Sequence, residues 1–171
     1  MDIWSLGVTL AELFTGNVLF PGRTNNDMLR LFMDLIGCFS NKMIRRHITS
    51  YSTKLGLQPH FEASAGNYNF RRADFDKVTR QPVIRIITDY NSSTTPSKQI
   101  VHVLLNVVSK SDERGEVIKF ADFLSRILAL DPGKRMGVDM ALTHELFAKK
   151  KHRKRARLAQ EIENREVNGK C

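Results

Sequence analysis

The stretch MDIWSLGVTLAELFTGNVLFPG, residues 1–22, reads as one helix running into a loop, and the helix is apolar on nearly every side. Ile3, Leu6, Leu10, Leu13 and Phe14 recur at the i, i+3, i+4 spacing of one helical face, while Trp4, Val8 and Ala11 line a second. Only Asp2, Ser5, Thr9 and Glu12 break the pattern before Thr15, Gly16 and Asn17 supply a stop, with Gly at the left-handed position. A helix of this kind is buried on most sides, so it calls for neighbours before it as well as after it. Within these residues nothing precedes it.

Working outward, 171 residues with 42% hydrophobic and 26% charged residues suit one globular domain with a sizeable core. No run approaches the roughly 18 apolar residues of a membrane span, and no signal-peptide pattern opens the chain. An intracellular protein without a membrane partner is the expectation. Two cysteines, Cys38 and Cys171, without CxxC spacing or clustered histidines, give neither a disulfide framework nor a zinc site.

The net charge of +9 is unevenly spread. Residues 149–171 hold nine Lys or Arg against three Glu, which leaves only +3 for residues 1–148. Seven of the nine positions in KKKHRKRAR are basic: Lys149, Lys150, Lys151, Arg153, Lys154, Arg155 and Arg157. Such a run reads as a nuclear address, met by an import receptor, or as a polyanion-binding patch. The alternative is a solvated helix end whose charge complements the helix dipole. The tail lacks interleaved aromatics for base stacking, which speaks against a dedicated nucleic-acid binder.

Beyond the first loop, Thr24 can cap a second helix that buries Met28, Leu29, Leu31, Phe32, Leu35 and Ile36 and ends at Gly37. From about residue 38 to 115 the pattern loosens into a loop-rich insert, with Gly56, Pro59, Gly66, Pro82 and Pro96 as breakers. Within it PVIRIIT suggests a short strand; IVHVLLNVV fits helix or strand by periodicity, with helix favoured. EVIKFADFLSRILAL resumes a 3.6-residue period that Pro132 stops. A last helix is expected from about Val138 to Lys149.

DIWSLG at residues 2–7, LFPG with its Phe sixteen residues beyond Trp4, and LALDPGKR at residues 128–135 follow one another in order. Together they resemble the C-terminal lobe of a eukaryotic protein kinase. LFPG and the long insert resemble the CMGC group, and FPGRTNNDMLRLFMDLIG, NKMIRR and DKVT are similar to words of the pre-mRNA-processing kinases. The resemblance implies a mainly α fold, the helical C-terminal lobe truncated at its central helix, with a partial kinase domain over residues 1–148 and a basic, helical or disordered tail over 149–171.

Residue by residue, the resemblance assigns supporting roles and no catalytic one. It makes Asp2 the carboxylate that hydrogen-bonds the catalytic loop and anchors a hydrophobic spine; alternatively Asp2 is a helix N-terminal acid favoured by the dipole. Trp4 belongs to the same supporting set. Arg135 corresponds to the arginine that pairs with the glutamate of the A-P-E motif, or is an exposed basic residue. Glu12 stands where some kinases read substrate, with a surface salt bridge as the alternative, and His144 resembles a packing histidine of the terminal helix motif. Gly137 replaces the usual Ser or Thr cap, a change of a few tenths of a kcal/mol.

Phosphoryl transfer by kinases needs a Gly-rich loop, a strand Lys paired to a helix Glu, a catalytic-loop Asp and Asn, and a D-F-G aspartate for magnesium. None occurs in these residues. The expectation is therefore a fragment, inactive alone and with no cofactor of its own, of a nuclear serine/threonine kinase whose intact parent uses ATP and Mg on spliceosomal protein substrates. The alternative is a noncatalytic kinase-lobe interaction module with a polyanion-binding tail.

Overall fold

The computed structural model describes residues 3–88, 99–108 and 114–147. Six helices and one three-stranded sheet are found among them. Helix α1 (Ile3–Thr15) ends where Gly16 takes φ +69°, its N–H donating to the Glu12 carbonyl at 2.8 Å. That conformation is strained for any residue with a Cβ, which is why the stop falls at the glycine. Helix α2 (Asn25–Leu35) begins as the sequence predicts: the Thr24 hydroxyl accepts the Asp27 N–H at 3.1 Å, and Asp27 adds an acid to the first turn.

Two cores organise the described residues. The larger gathers α1, α4 (Ile100–Leu105), α5 (Arg114–Ile127) and α6 (Val138–Leu142) around Leu104, Leu124, Ile127 and Leu128, all with no solvent exposure. Complete burial of each such side chain contributes about 1.5–3 kcal/mol. Gly7 lets α1 approach α5 closely, since a Cβ there would stand 2.9 Å from both Ile127 Cδ1 and Leu128 Cδ2. The Gly of DIWSLG is thus a packing requirement.

The described part of the insert carries the expected strand as one of three. Helix α3 (Asn41–Thr49), capped by Ser40, leads through a π turn (Ser50–Lys54) into the antiparallel meander β1 (Phe61–Ser64), β2 (Asn67–Phe75) and β3 (Pro82–Ile87). Ala65 and Gly66, both at positive φ, form the two-residue β1–β2 turn that matches strand twist. In DKVT, the Asp76 carboxylate accepts the N–H groups of Thr79 at 2.8 Å and Val78 at 2.9 Å. These two bonds hold its carboxyl below the usual range and close the β2–β3 turn. Met33, Ile44, Phe61 and Phe70 form the second core between the sheet, α2 and α3.

PVIRIIT supplies β3 and IVHVLLNVV the helix α4, in agreement with the sequence reading. The last helix departs from it. Instead of one helix from Val138 to Lys149, α6 stops at Leu142 and residues 145–147 begin a new helical segment. His144 causes the break, because its Nδ1 accepts the Leu146 N–H at 3.2 Å in the manner of a cap.

Candidate functional site

The candidate site is where the three sequence words meet. Trp4, on the first turn of α1, stacks on Phe20 of LFPG with ring centroids 6.2 Å apart and planes 11° off parallel. Phe32 of α2 meets Trp4 edge-on at 5.4 Å and Phe20 edge-on at 4.8 Å. Over the Trp4 ring lies the guanidinium of Arg135, 5.1 Å from its centroid.

Arg135 is aimed there by the segment before it. The Asp131 carboxylate accepts the Gly133 N–H at 3.0 Å and caps a 3₁₀ turn (Pro132–Lys134) after α5. Arg135 Nε then donates to the Ala129 carbonyl at 3.1 Å, and the Met136 N–H reaches back to the Arg126 carbonyl at 3.1 Å. The result is a cation held on an aromatic face. That arrangement can orient an anionic group or brace a neighbouring segment, and contains no nucleophile or general base.

The other sequence-predicted residues divide. Asp2 and the basic run from Lys149 to Arg157 lie outside the described residues. Glu12 makes no ion pair among the described residues; its Oε1 accepts the Leu19 N–H at 2.9 Å and ties the LFPG loop to α1. His144 is packed, its ring 5.3 Å from that of Phe123. Because its Nδ1 accepts a backbone N–H, its Nε2 carries the proton and donates to Asp122 Oδ2 at 2.9 Å. Desolvation, the largest influence on Asp122, pushes its pKa up, yet the bonds from His144 and Arg126 together bring it below the ordinary value.

The α1 helix is only partly covered. Gly7 and Ala11 are its buried residues, while Leu6 is 40% and Leu13 77% exposed. Ile3, Leu6 and Leu10 line an apolar cavity of about 320 Å³ with Phe123, Leu142 and Phe147. Among the described residues no cluster of His, Cys, Asp or Glu could hold a metal, and no helix is long and apolar enough to cross a membrane.

Sequence reasoning missed Asn26. Its buried amide accepts the Ala73 N–H at 2.8 Å and donates to the Arg71 carbonyl at 2.7 Å, so the side chain pairs with β2 as a neighbouring strand would. Nδ2 also reaches His60 Nδ1 at 3.1 Å, and the His60 N–H donates to His47 Nε2 at 3.1 Å. Nothing in the periodicity of TNND marks its second Asn as buried.

Comparison with known proteins follows the same outline. The protein kinase domain family model matches residues 1–147. The serine/threonine-protein kinase prp4 of Schizosaccharomyces pombe is 38% identical over 151 residues, which cover 88% of this chain and 29% of that protein. For the serine/threonine-protein kinase prpf4B of Dictyostelium discoideum the identity is 36% over 149 residues, 86% of this chain and 17% of the relative. The dual specificity tyrosine-phosphorylation-regulated kinase 2 of Drosophila melanogaster is 32% identical over 158 residues, 90% and 17% of the two chains. The chain thus spans less than a third of the length of these relatives. With the family model, the helical lobe and its inserted sheet in agreement, the chain belongs to the protein kinase domain family, as a CMGC-type serine/threonine kinase domain.

Proposed function

We propose that these residues form the supporting part of a nuclear serine/threonine kinase that, as a whole, transfers the γ-phosphate of ATP to splicing proteins. One observation carries the reading: Trp4, Phe20 and Arg135, from three separate kinase-like words, lie in a single cluster. In this role Asp2 and Trp4 brace the catalytic loop, and Arg135 pairs with a glutamate of the activation segment. The splicing assignment rests on the kinship with prp4 and prpf4B and on the insert words NKMIRR and DKVT.

ATP and Mg belong to the whole enzyme in this proposal. The residues that would grip phosphate or metal in a kinase have no counterpart within these 171. The chain by itself is therefore expected to give no saturable heat on titration with Mg-ATP and no radiolabel transfer to basic or Ser-Pro peptides. Saturable binding with turnover would overturn the reading.

The basic run from Lys149 to Arg157 is assigned to nuclear import and to polyanion contact. A fluorescent reporter fused to residues 148–171 tests it. Nuclear accumulation and salt-sensitive heparin retention should both be lost when the seven basic residues become Gln; unchanged behaviour would leave the run a solvated helix end.

A further inference from the structure

The sheet carries a feature that phosphoryl transfer does not use. Strand β3 pairs with β2 without interruption from Phe70↔Ile87 to Phe75↔Pro82, and among the described residues no strand pairs its other edge. Exposed edges are usually blunted by a bulge, a lysine or a mid-strand proline. β3 has no bulge, lysine or mid-strand proline; Arg85 is its one charged side chain, and its proline stands at the first position, where it is harmless.

The face beside that edge carries apolar side chains next to Arg71, which stands opposite Ile86 and pairs with Glu62 at 3.4 Å. Ile84 and Ile86 are 53% and 44% exposed, and Phe75, on the same face of β2, is 65% exposed. The opposite face holds Phe70 and Ile87 against the second core. Between the two isoleucines Arg85 turns the other way, its side chain 49% exposed although its Nε meets Asp74 Oδ2 at 3.2 Å. The edge thus reads Ile, Arg, Ile. The surrounding segment is strongly basic: residues 41–88 hold nine Lys or Arg and three Asp or Glu, twice the net charge of residues 1–148 as a whole.

We propose that the free edge of β3 takes up, by strand addition, an extended segment of a partner protein in which apolar and acidic residues alternate. Apolar side chains of the added strand would lie beside Ile84 and Ile86, and an acidic one beside Arg85. A second copy of this chain fits worse, since antiparallel β3 pairing would set Arg85 near Arg85 and join two basic segments. A nucleic acid would meet the positive charge but offers no peptide ladder and leaves the isoleucines uncovered.

The test uses the full 171-residue chain and a labelled ten-residue peptide of alternating Val and Glu, read by fluorescence anisotropy and by hydrogen exchange. The peptide should bind at least about tenfold more tightly than a Val/Lys peptide, a Glu-only peptide, or its own version with a central proline. Binding should slow exchange at alternate amides of residues 83–87. Ile84→Lys with Ile86→Lys should weaken binding about tenfold, and Arg85→Glu should reverse the preference toward the Val/Lys peptide. The second variant carries the test if the first unfolds. The proposal falls if these amides are already protected in the free chain, if they become protected through concentration-dependent self-association, or if the Glu-only peptide or an RNA oligonucleotide binds equally well at the edge.

Discussion

The guanidinium of Arg135 lies 5.1 Å from the centre of the Trp4 ring, joining residues 131 positions apart in the chain. Arg135→Ala should destabilise the fold by about 1–2 kcal/mol, through loss of the cation–π contact and of the Nε bond to the Ala129 carbonyl. Arg135→Lys keeps the charge but not the planar fork, so it should fall between. A double-mutant cycle with Trp4→Leu, measured by urea unfolding, should give a coupling of about 0.5–1 kcal/mol. Zero coupling would mean that the two side chains are neighbours without interaction.

Gly7→Ala tests the contact between α1 and α5. On helix propensity alone it would stabilise α1 by about 1 kcal/mol. The new methyl would nevertheless stand 2.9 Å from Ile127 Cδ1 and Leu128 Cδ2, and overpacking of this kind costs about 1–3 kcal/mol. Net destabilisation is expected, partly relieved by Ile127→Val, which deletes one of the two clashing methyls. A more stable Gly7→Ala protein would show that the helices separate freely.

Asn26→Ala removes a side chain that satisfies the Ala73 N–H and the Arg71 carbonyl. Leaving those groups unpaired should cost about 1–3 kcal/mol each unless water reaches them. Asn26→Asp would keep the acceptor for Ala73 but set a carboxylate against the Arg71 carbonyl, and should be destabilising as well. Faster hydrogen exchange at the Ala73 amide would locate the effect; unchanged exchange would place the damage elsewhere.

The two histidines of the insert make stability depend on pH. Burial, followed by the charge of His60, lowers the pKa of His47, and burial lowers that of His60. In the folded state each ring nitrogen that accepts a hydrogen bond must be unprotonated: His47 Nε2 from the His60 N–H, and His60 Nδ1 from Asn26. The unfolded chain, with histidines near 6.5, binds protons first as pH falls. Stability should therefore be full above about pH 6.5 and decline below it until the folded-state values are passed. Urea midpoints at pH 7.5 and 5.5 should differ more for the native chain than for His47→Gln with His60→Gln. Equal differences would assign the pH dependence to other groups.

Much of the helical lobe was legible in the chain because its signals are local. The Thr24 cap, the Gly16 stop, Pro132 after α5 and the 3.6-residue period of residues 116–128 act within a turn or two of themselves. The insert was harder to read. Its strands depend on pairing across the sheet, and the Ala65-Gly66 turn that sets β1 against β2 shows its meaning only when Phe61 and Phe70 face each other. The site divides in the same way. DIWSLG, LFPG and LALDPGKR were recognisable as words, and their order named the family. Only the tertiary structure decided that Arg135 lies over Trp4, that Glu12 ties the LFPG loop to α1, and that Asn26 completes the edge of β2. Each of those is an interaction between residues distant in sequence or turned by a loop. Its energy depends on ångström-scale placement, which no local propensity encodes.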